Sequence, residues 1–181
     1  LRTPLNSVIG FTNILLKNRS GNLVEQELSF LNRIVANGKH LLELINEVLD
    51  LAKIEAGRME LDFDSVSLST LVSDTLAQLE AQVKGKDVVL RGDVPEGIEL
   101  IQADPGKLKQ VIINLVGNAL KFTKEGEVVV TVAVQEDGQT PSAIAVSDTG
   151  IGIPPDRLQA IFEAFQQADG TTDREYGGTG L

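Results

Sequence analysis

Asp104-Pro-Gly-Lys-Leu-Lys-Gln-Val-Ile-Ile-Asn-Leu-Val-Gly-Asn-Ala-Leu-Lys-Phe-Thr123 is the stretch from which the rest of the chain is read. It opens as a helix opens. The Asp104 carboxylate is placed to accept from the unpaired amides of a first turn, and Pro105 follows where its missing N–H costs nothing. Leu108, Val111, Ile112, Leu115, Ala119 and Phe122 recur at helical spacing and predict one apolar stripe. Lys107, Asn114, Asn118 and Lys121 lie three, four or seven residues apart on another face, so their side chains can converge on one object. Two carboxamides and two ammonium groups with no acid among them suit an anion such as a phosphate chain. An Asn carbonyl oxygen is also a hard ligand of the kind Mg²⁺ accepts. The solvated face of an ordinary amphipathic helix looks the same, so this helix alone leaves both readings open.

Composition narrows the classes. A chain of 181 residues, 42% hydrophobic, suits one substantial domain or two small ones and can bury a core. A formal net charge of −10 argues against nucleic acid or an anionic membrane as the main partner, because both reward clustered Lys and Arg. Without cysteine there is no disulfide, thiolate metal site or thiol nucleophile, and a single histidine excludes a His-cluster metal site. No apolar run approaches the roughly 18 residues of a membrane span, and nothing at the start reads as a signal peptide. The expectation is a cytoplasmic segment without direct membrane contact. Leu1 enters a helical pattern already under way, with neither an initiator Met nor a cap.

Leu5, Val8, Ile9, Leu15 and Leu16 predict a first helix over residues 1–18, with Pro4 in its first turn or at a kink. Asn18 to Asn22 breaks the pattern, and a long helix follows from Glu25 to about Ala56, ended by Gly57 as a glycine cap. Leu28, Leu31, Val35, Gly38, Leu42, Ile45, Leu49 and Ala52 alternate steps of three and four, the heptad rhythm of helices packed along their length. Ile34, Leu41, Leu44, Val48 and Leu51 form a second stripe beside the first. About 32 residues make a rod on the order of 48 Å, and the first helix covers about half of it. Two hairpins joined across a two-fold axis as a four-helix bundle would bury the remainder, which predicts a homodimer.

From Met59 the texture becomes mixed α and β. Met59 to Phe63 alternates as a short strand does; Leu68, Leu71, Val72, Thr75, Leu76, Leu79 and Val83 predict a helix capped by Ser67. Lys86 to Asp93 and Ile98 to Gln102 predict strands around the turn Pro95-Glu-Gly97. After the central helix come strands over Glu127 to Gln135 and Ser142 to Asp148, the first with Val128, Val130, Val132 and Val134 alternating. A short helix is predicted around Asp156 to Phe162, and Gln166 to Leu181 is glycine-rich and poorly patterned.

Three further motifs are weak singly. Asp148-Thr-Gly-Ile-Gly-Ile-Pro154 follows a strand and lets backbone approach a ligand closely, as any strand-to-loop turn could. Gly177-Gly-Thr-Gly180 offers amides to a phosphate or is simply a mobile end. Ile161-Phe-Glu-Ala-Phe165 puts two aromatics on an apolar segment.

In order and spacing the set resembles the transmitter core of a sensor histidine kinase of two-component signalling. Asp104 to Thr123 matches the family's asparagine box, Asp148 to Ile153 its first glycine box, Phe162 to Phe165 its phenylalanine box, and Gly177 to Leu181 the start of its second glycine box. Leu1-Arg-Thr-Pro-Leu-Asn6 matches the second half of the phosphoacceptor box, and His40 to Met59 resembles the second dimerisation helix. The resemblance implies an α+β fold class: a helical hairpin (1–57) forming a dimeric four-helix bundle, then an α/β two-layer sandwich (58–181) of the histidine-kinase ATPase type, C-terminally incomplete. It implies ATP and Mg²⁺ as cofactors, and a receiver domain, separate or in the same polypeptide, as partner. Asn118 would hold Mg²⁺ through its amide oxygen, with the catalytic Asn114 ordering water or the γ-phosphate beside it. Lys121 would meet phosphate oxygens and Phe122 line the pocket. Asp148 would accept from the exocyclic amine of adenine, with Gly150, Gly152 and Ile153 letting the base edge approach. Residues from about Gln166 to Tyr176 would be the lid, with Arg174 a phosphate contact, and Gly178, Thr179, Gly180 and Leu181 would bind phosphates through backbone amides.

The sequence departs from the family pattern at its ends. The acceptor histidine is expected two positions before Leu1; His40 stands in the second helix and is read as structural or solvated. Thr3 matches the family position implicated in dephosphorylating the partner, and is equally a polar residue of an early helical turn. The second glycine box is cut at Leu181. Two rivals compete with the kinase reading. A hydrolytic ATPase of the same superfamily would carry a glutamate base where Asn114 stands, since a carboxamide cannot take a proton from water. A non-catalytic dimeric scaffold would not need Asn114, Asn118 and Asp148.

Overall fold

The computed structural model describes residues 2–158, which divide into two compact units, one up to Met59 and one from Glu60. The first is a helical hairpin of α1 (Arg2–Leu16) and α2 (Glu25–Glu55). Its turn is held by one side chain. Asn18, at φ +42°, donates from its amide nitrogen to the Leu23 carbonyl and accepts from the Leu23 N–H, both at 3.1 Å. Asn tolerates the left-handed region better than other non-glycine residues, so the position suits it. Glu27 reaches back to accept from Val24 N–H at 2.9 Å, satisfying an amide that α2 leaves unpaired. At the other end Gly57, at φ +64°, donates to Ile54 while Arg58 donates to Lys53 at 2.8 Å. That is the Schellman closure the glycine predicts.

Within the hairpin, Thr12, Val35 and Gly38 are buried. A Cβ on Gly38 would stand 2.9 Å from Ile9, so the glycine lets the helices approach there. Val35 and Gly38 belong to the first heptad stripe. The second stripe is only partly covered: Ile34, Leu41 (49% exposed) and Val48 (46%) face solvent, Leu44 and Leu51 are half-buried, and Val8, Phe11, Ile14 and Leu15 of α1 are exposed as well.

The second unit is a helix layer on a sheet. β2 (Asp87–Asp93), β4 (Glu125–Val134) and β5 (Pro141–Asp148) form a three-stranded sheet in the order β2-β4-β5. β2 runs parallel to β4, and β5 antiparallel to it. A parallel pair needs a long crossover; here it contains β3 (Ile101–Ala103) and α4 (Pro105–Phe122). β3 pairs antiparallel with β1 (Asp64–Val66) in a separate small ladder. α3 (Leu68–Val83) packs beside α4, its first turn capped by Ser67. Val128, Val130 and Val132 of β4 point into the core with Leu68, Val72 and Leu79 of α3 and Ile112, Val116, Ala119 and Leu120 of α4.

The structure corrects three sequence expectations. Met59 to Phe63 is not a strand; pairing begins at Asp64, where β3 supplies a partner. The stripe predicted on α4 is rotated. Val111 (53% exposed) and Leu115 (47%) face outward, and the buried line runs through Ile112, Val116, Ala119 and Leu120. Of the predicted short helix, Pro155–Arg157 is a single 3-10 turn, and residues from 159 onward lie outside the described residues.

Candidate functional site

The site is assembled around α4, and both ends of that helix are fastened. At the start, Asp104 accepts from Lys107 N–H at 2.9 Å with one oxygen and from Asp62 N–H at 3.2 Å with the other. The Lys107 amide, then that of Asp62, holds the Asp104 carboxyl below the usual carboxylate range. At the finish three of the terminal carbonyls find donors: Ala119 from Thr123 N–H at 2.9 Å, Leu120 from the Lys86 ammonium at 3.0 Å, Phe122 from Ile151 N–H at 3.3 Å. Helix ends leave such carbonyls unpaired, and a cation there also complements the helix dipole.

One face of the helix fixed in this way is open. Asn114 and Asn118 are exposed, Lys107 and Lys121 half-buried, and all four stand opposite the buried line of Ile112, Val116, Ala119 and Leu120. The Lys121 ammonium lies 5.1 Å from the centre of the Phe122 ring, within cation–π range. The exposed Val111 and Leu115 flank this polar face on the same helix.

The glycine loop meets the end of α4 directly. The sheet register pairs Val128 with Asp148, which brings the end of β5 beside the segment leaving the helix. Asp148 accepts from Gly150 N–H at 2.8 Å. Gly150 sits in a notch: a Cβ there would stand 2.6 Å from the Phe122 carbonyl oxygen and 2.8 Å from the Asp148 carboxylate. Only glycine fits. Gly152 adopts φ +68°, and Ile151 and Ile153 are exposed beside it.

The structure therefore brings Lys121, Phe122, Asp148 and Gly150 together, with Asn118 and Asn114 one and two turns up α4, and Gly152 and Ile153 further along the loop. Thr3 is elsewhere, exposed on α1, its carbonyl accepting from the Ser7 hydroxyl. His40 is exposed on α2, 3.8 Å from Glu43. Arg174, Gly178, Thr179, Gly180 and Leu181, the phenylalanine box and the expected lid lie outside the described residues. Lys86 and Thr149 escaped the sequence reading, because each touches the site only through tertiary pairing.

Residues 1–57 match the model of the His Kinase A (phospho-acceptor) domain, and residues 103–181 match the histidine kinase-, DNA gyrase B- and HSP90-like ATPase. The two stand in the order of a transmitter core. The chain belongs to the sensor histidine kinases. Among relatives, this kinase segment is 42% identical over 183 residues to the circadian input-output histidine kinase CikA of Synechococcus elongatus, covering 100% of the chain and 24% of CikA. It is 40% identical over 184 residues to the sensor histidine kinase GacS of Pseudomonas protegens, covering 100% of the chain and 20% of GacS. Among solved structures, full-length ShkA in complex with AMPPNP superposes with a TM-score of 0.77 at 34% identity, covering 99% of this chain and 36% of that one. The kinase segment thus spans about a quarter of the length of the first of these relatives and less of the second. Among the described residues no helix is long and apolar enough to cross a membrane.

Proposed function

We propose that the chain is the core of an ATP-dependent protein-histidine kinase, in which residues 58–181 bind ATP and residues 1–57 dimerise and carry just ahead of their start the phosphoacceptor histidine expected two positions before Leu1. The observation that carries this is the junction of α4 with the glycine loop. A notch that excludes even a methyl group adjoins an acid, an aromatic ring, an ammonium group and a row of carboxamides. Such a place suits a flat base at one end and an anionic chain at the other. Asp148 has one oxygen engaged by Gly150, leaving the other to accept from the exocyclic amine of adenine, a contact that guanine cannot make. Lys121 meets phosphate oxygens. Arg174 and the amides of Gly178, Thr179, Gly180 and Leu181 complete the phosphate contacts.

The donor set fits Mg²⁺. Among the described residues no three His, Cys, Asp or Glu side chains converge as a metal site. Asn118 is nevertheless exposed and on the face of Lys121, and its amide oxygen is the kind of donor Mg²⁺ accepts. Mg²⁺ keeps several of its waters and takes oxygens from the ligand's own phosphates, so one protein oxygen would be enough to anchor it, and it would neutralise charge on the triphosphate. Asn114 orders water or the γ-phosphate from one turn away.

The transfer itself is in-line. An imidazole nitrogen attacks the γ-phosphorus, the bond to the bridging oxygen breaks, ADP leaves, and the phosphoryl group later passes to a receiver-domain aspartate. The protein's share is positioning and charge neutralisation. Thr3, on α1, takes the role of aligning a water that hydrolyses the receiver's aspartyl phosphate, releasing inorganic phosphate.

Dimerisation is supported by the exposed residues of the second stripe of α2 and the exposed apolar residues of α1. A second hairpin covers them, and the use of ATP puts the segment in the cytoplasm. The test of the enzyme reading is Asn118→Ala. Magnesium-dependent ATP affinity should fall at least tenfold with the fold retained; an unchanged affinity would remove Asn118 from the site.

A further inference from the structure

We infer that Thr149 is a positioning residue for the nucleotide site, pegging the glycine loop to the segment that leaves α4 and so holding Asp148 at a set distance from the Asn118–Phe122 turn. This rests on the junction being the ATP site. The ladder between β4 and β5 ends at the Val128–Asp148 pair, and beyond it one further backbone bond, from Thr149, leads into the loop. Thr149 takes over. Its N–H donates to the Glu127 carbonyl at 3.1 Å, and its hydroxyl oxygen accepts from Glu127 N–H at 3.0 Å. The hydroxyl hydrogen goes to the carbonyl of Glu125, at 3.3 Å, or of Glu127, at 3.4 Å. Opposite stands Gly126 at φ +111°, where a Cβ would run into the Thr149 hydroxyl. The glycine is the socket and the threonine the peg.

Two residues further on, Ile151 N–H donates to the Phe122 carbonyl, so the loop is tied on one side of Gly150 to the start of β4 and on the other to the end of α4. Asp148 immediately precedes the peg, and Phe122 lies four residues before the socket. A hydroxyl is needed because one atom must both accept and donate. Valine fills the same volume and does neither, which leaves the Glu127 amide without this partner. A loop released in this way must be re-ordered when the base binds, and that cost appears in affinity rather than in the transfer step.

The experiment compares Thr149→Val and Thr149→Ser with the wild type in the full chain, by calorimetric titration with MgATP and MgGTP. Exchange of the Gly150 and Ile151 amides is followed alongside without nucleotide. Thr149→Val should weaken ATP roughly fivefold, narrow the preference for ATP over GTP and speed exchange at both amides. Thr149→Ser, which keeps the hydroxyl, should restore affinity and protection. Equal behaviour of the two variants, or wild-type affinity and exchange in Thr149→Val, would overturn the role of the hydroxyl. A wild type that binds no ATP would overturn the site assignment instead, and the nucleotide-free exchange arm tells the two failures apart.

Discussion

Replacing Gly150 by Ala tests the notch with one carbon atom. The added Cβ would stand 2.6 Å from the Phe122 carbonyl oxygen, about 0.8 Å inside the 3.4 Å of ordinary contact, and 2.8 Å from the Asp148 carboxylate. The first obstacle is backbone at the capped end of a core helix, so the loop must give way rather than the helix. A retreat of that size stretches the 3.3 Å bond from Ile151 N–H to Phe122 beyond hydrogen-bonding reach. It also strains the 2.8 Å bond from Gly150 N–H to Asp148. One net hydrogen bond is worth about 1 kcal/mol, and forcing a methyl into a packed position costs about 1–3 kcal/mol. Because the loop is largely exposed and can relax, we expect a loss of about 1–3 kcal/mol in urea unfolding with the m-value unchanged. ATP affinity should fall about tenfold or more, since Asp148 moves with the loop. Gly117 of the same helix is the control: nothing stands within 4 Å of its Cβ position, and Gly117→Ala should stabilise by about 0.5–1 kcal/mol through helix propensity. Wild-type stability and affinity in Gly150→Ala would refute the steric reasoning.

Other perturbations probe other links. Ile112 is almost fully buried between α3 and the sheet, so Ile112→Ala should cost about 2–5 kcal/mol in chemical denaturation. Asp104 has its carboxyl pKa lowered by the Lys107 and Asp62 amides. Its contribution is therefore present above the unfolded-state value near 4 and is lost as pH falls through the lower folded value. Asp104→Asn should accordingly flatten the acid limb of the stability–pH profile below about pH 4, and a limb identical to wild type would count against the cap. Leu41→Glu with Val48→Glu introduces charge on the exposed part of the second stripe and should yield monomers by sedimentation equilibrium; a persistent dimer would reject that face as the interface.

Local chemistry is what the sequence makes legible. Asp104, Ser67 and Gly57 act as caps because capping depends on a few neighbouring residues, and the alternating valines of β4 point inward because period two is a property of the strand itself. Asn114, Asn118 and Lys121 share a face by helical spacing alone. Tertiary pairing is not legible in the same way. Met59 to Phe63 alternates like a strand yet has no partner, and Val111 and Leu115 look like core yet face outward because the sheet meets α4 along another line. Lys86 is 34 residues from the carbonyl it caps, and Thr149 finds Glu127 only through the β4–β5 register. Nothing in either residue's neighbourhood announces the contact.

The most direct test of a magnesium-nucleotide site at the junction of α4 and the glycine loop is a residue-by-residue map of amide chemical shifts during titration with MgATP. The expected result is saturable perturbation concentrated at Asn114, Asn118, Lys121 and Phe122 and at Asp148 to Ile153, lost when the titration is repeated with Asn118→Ala. Perturbation absent from both segments, or centred on the outer face of α3, would contradict it.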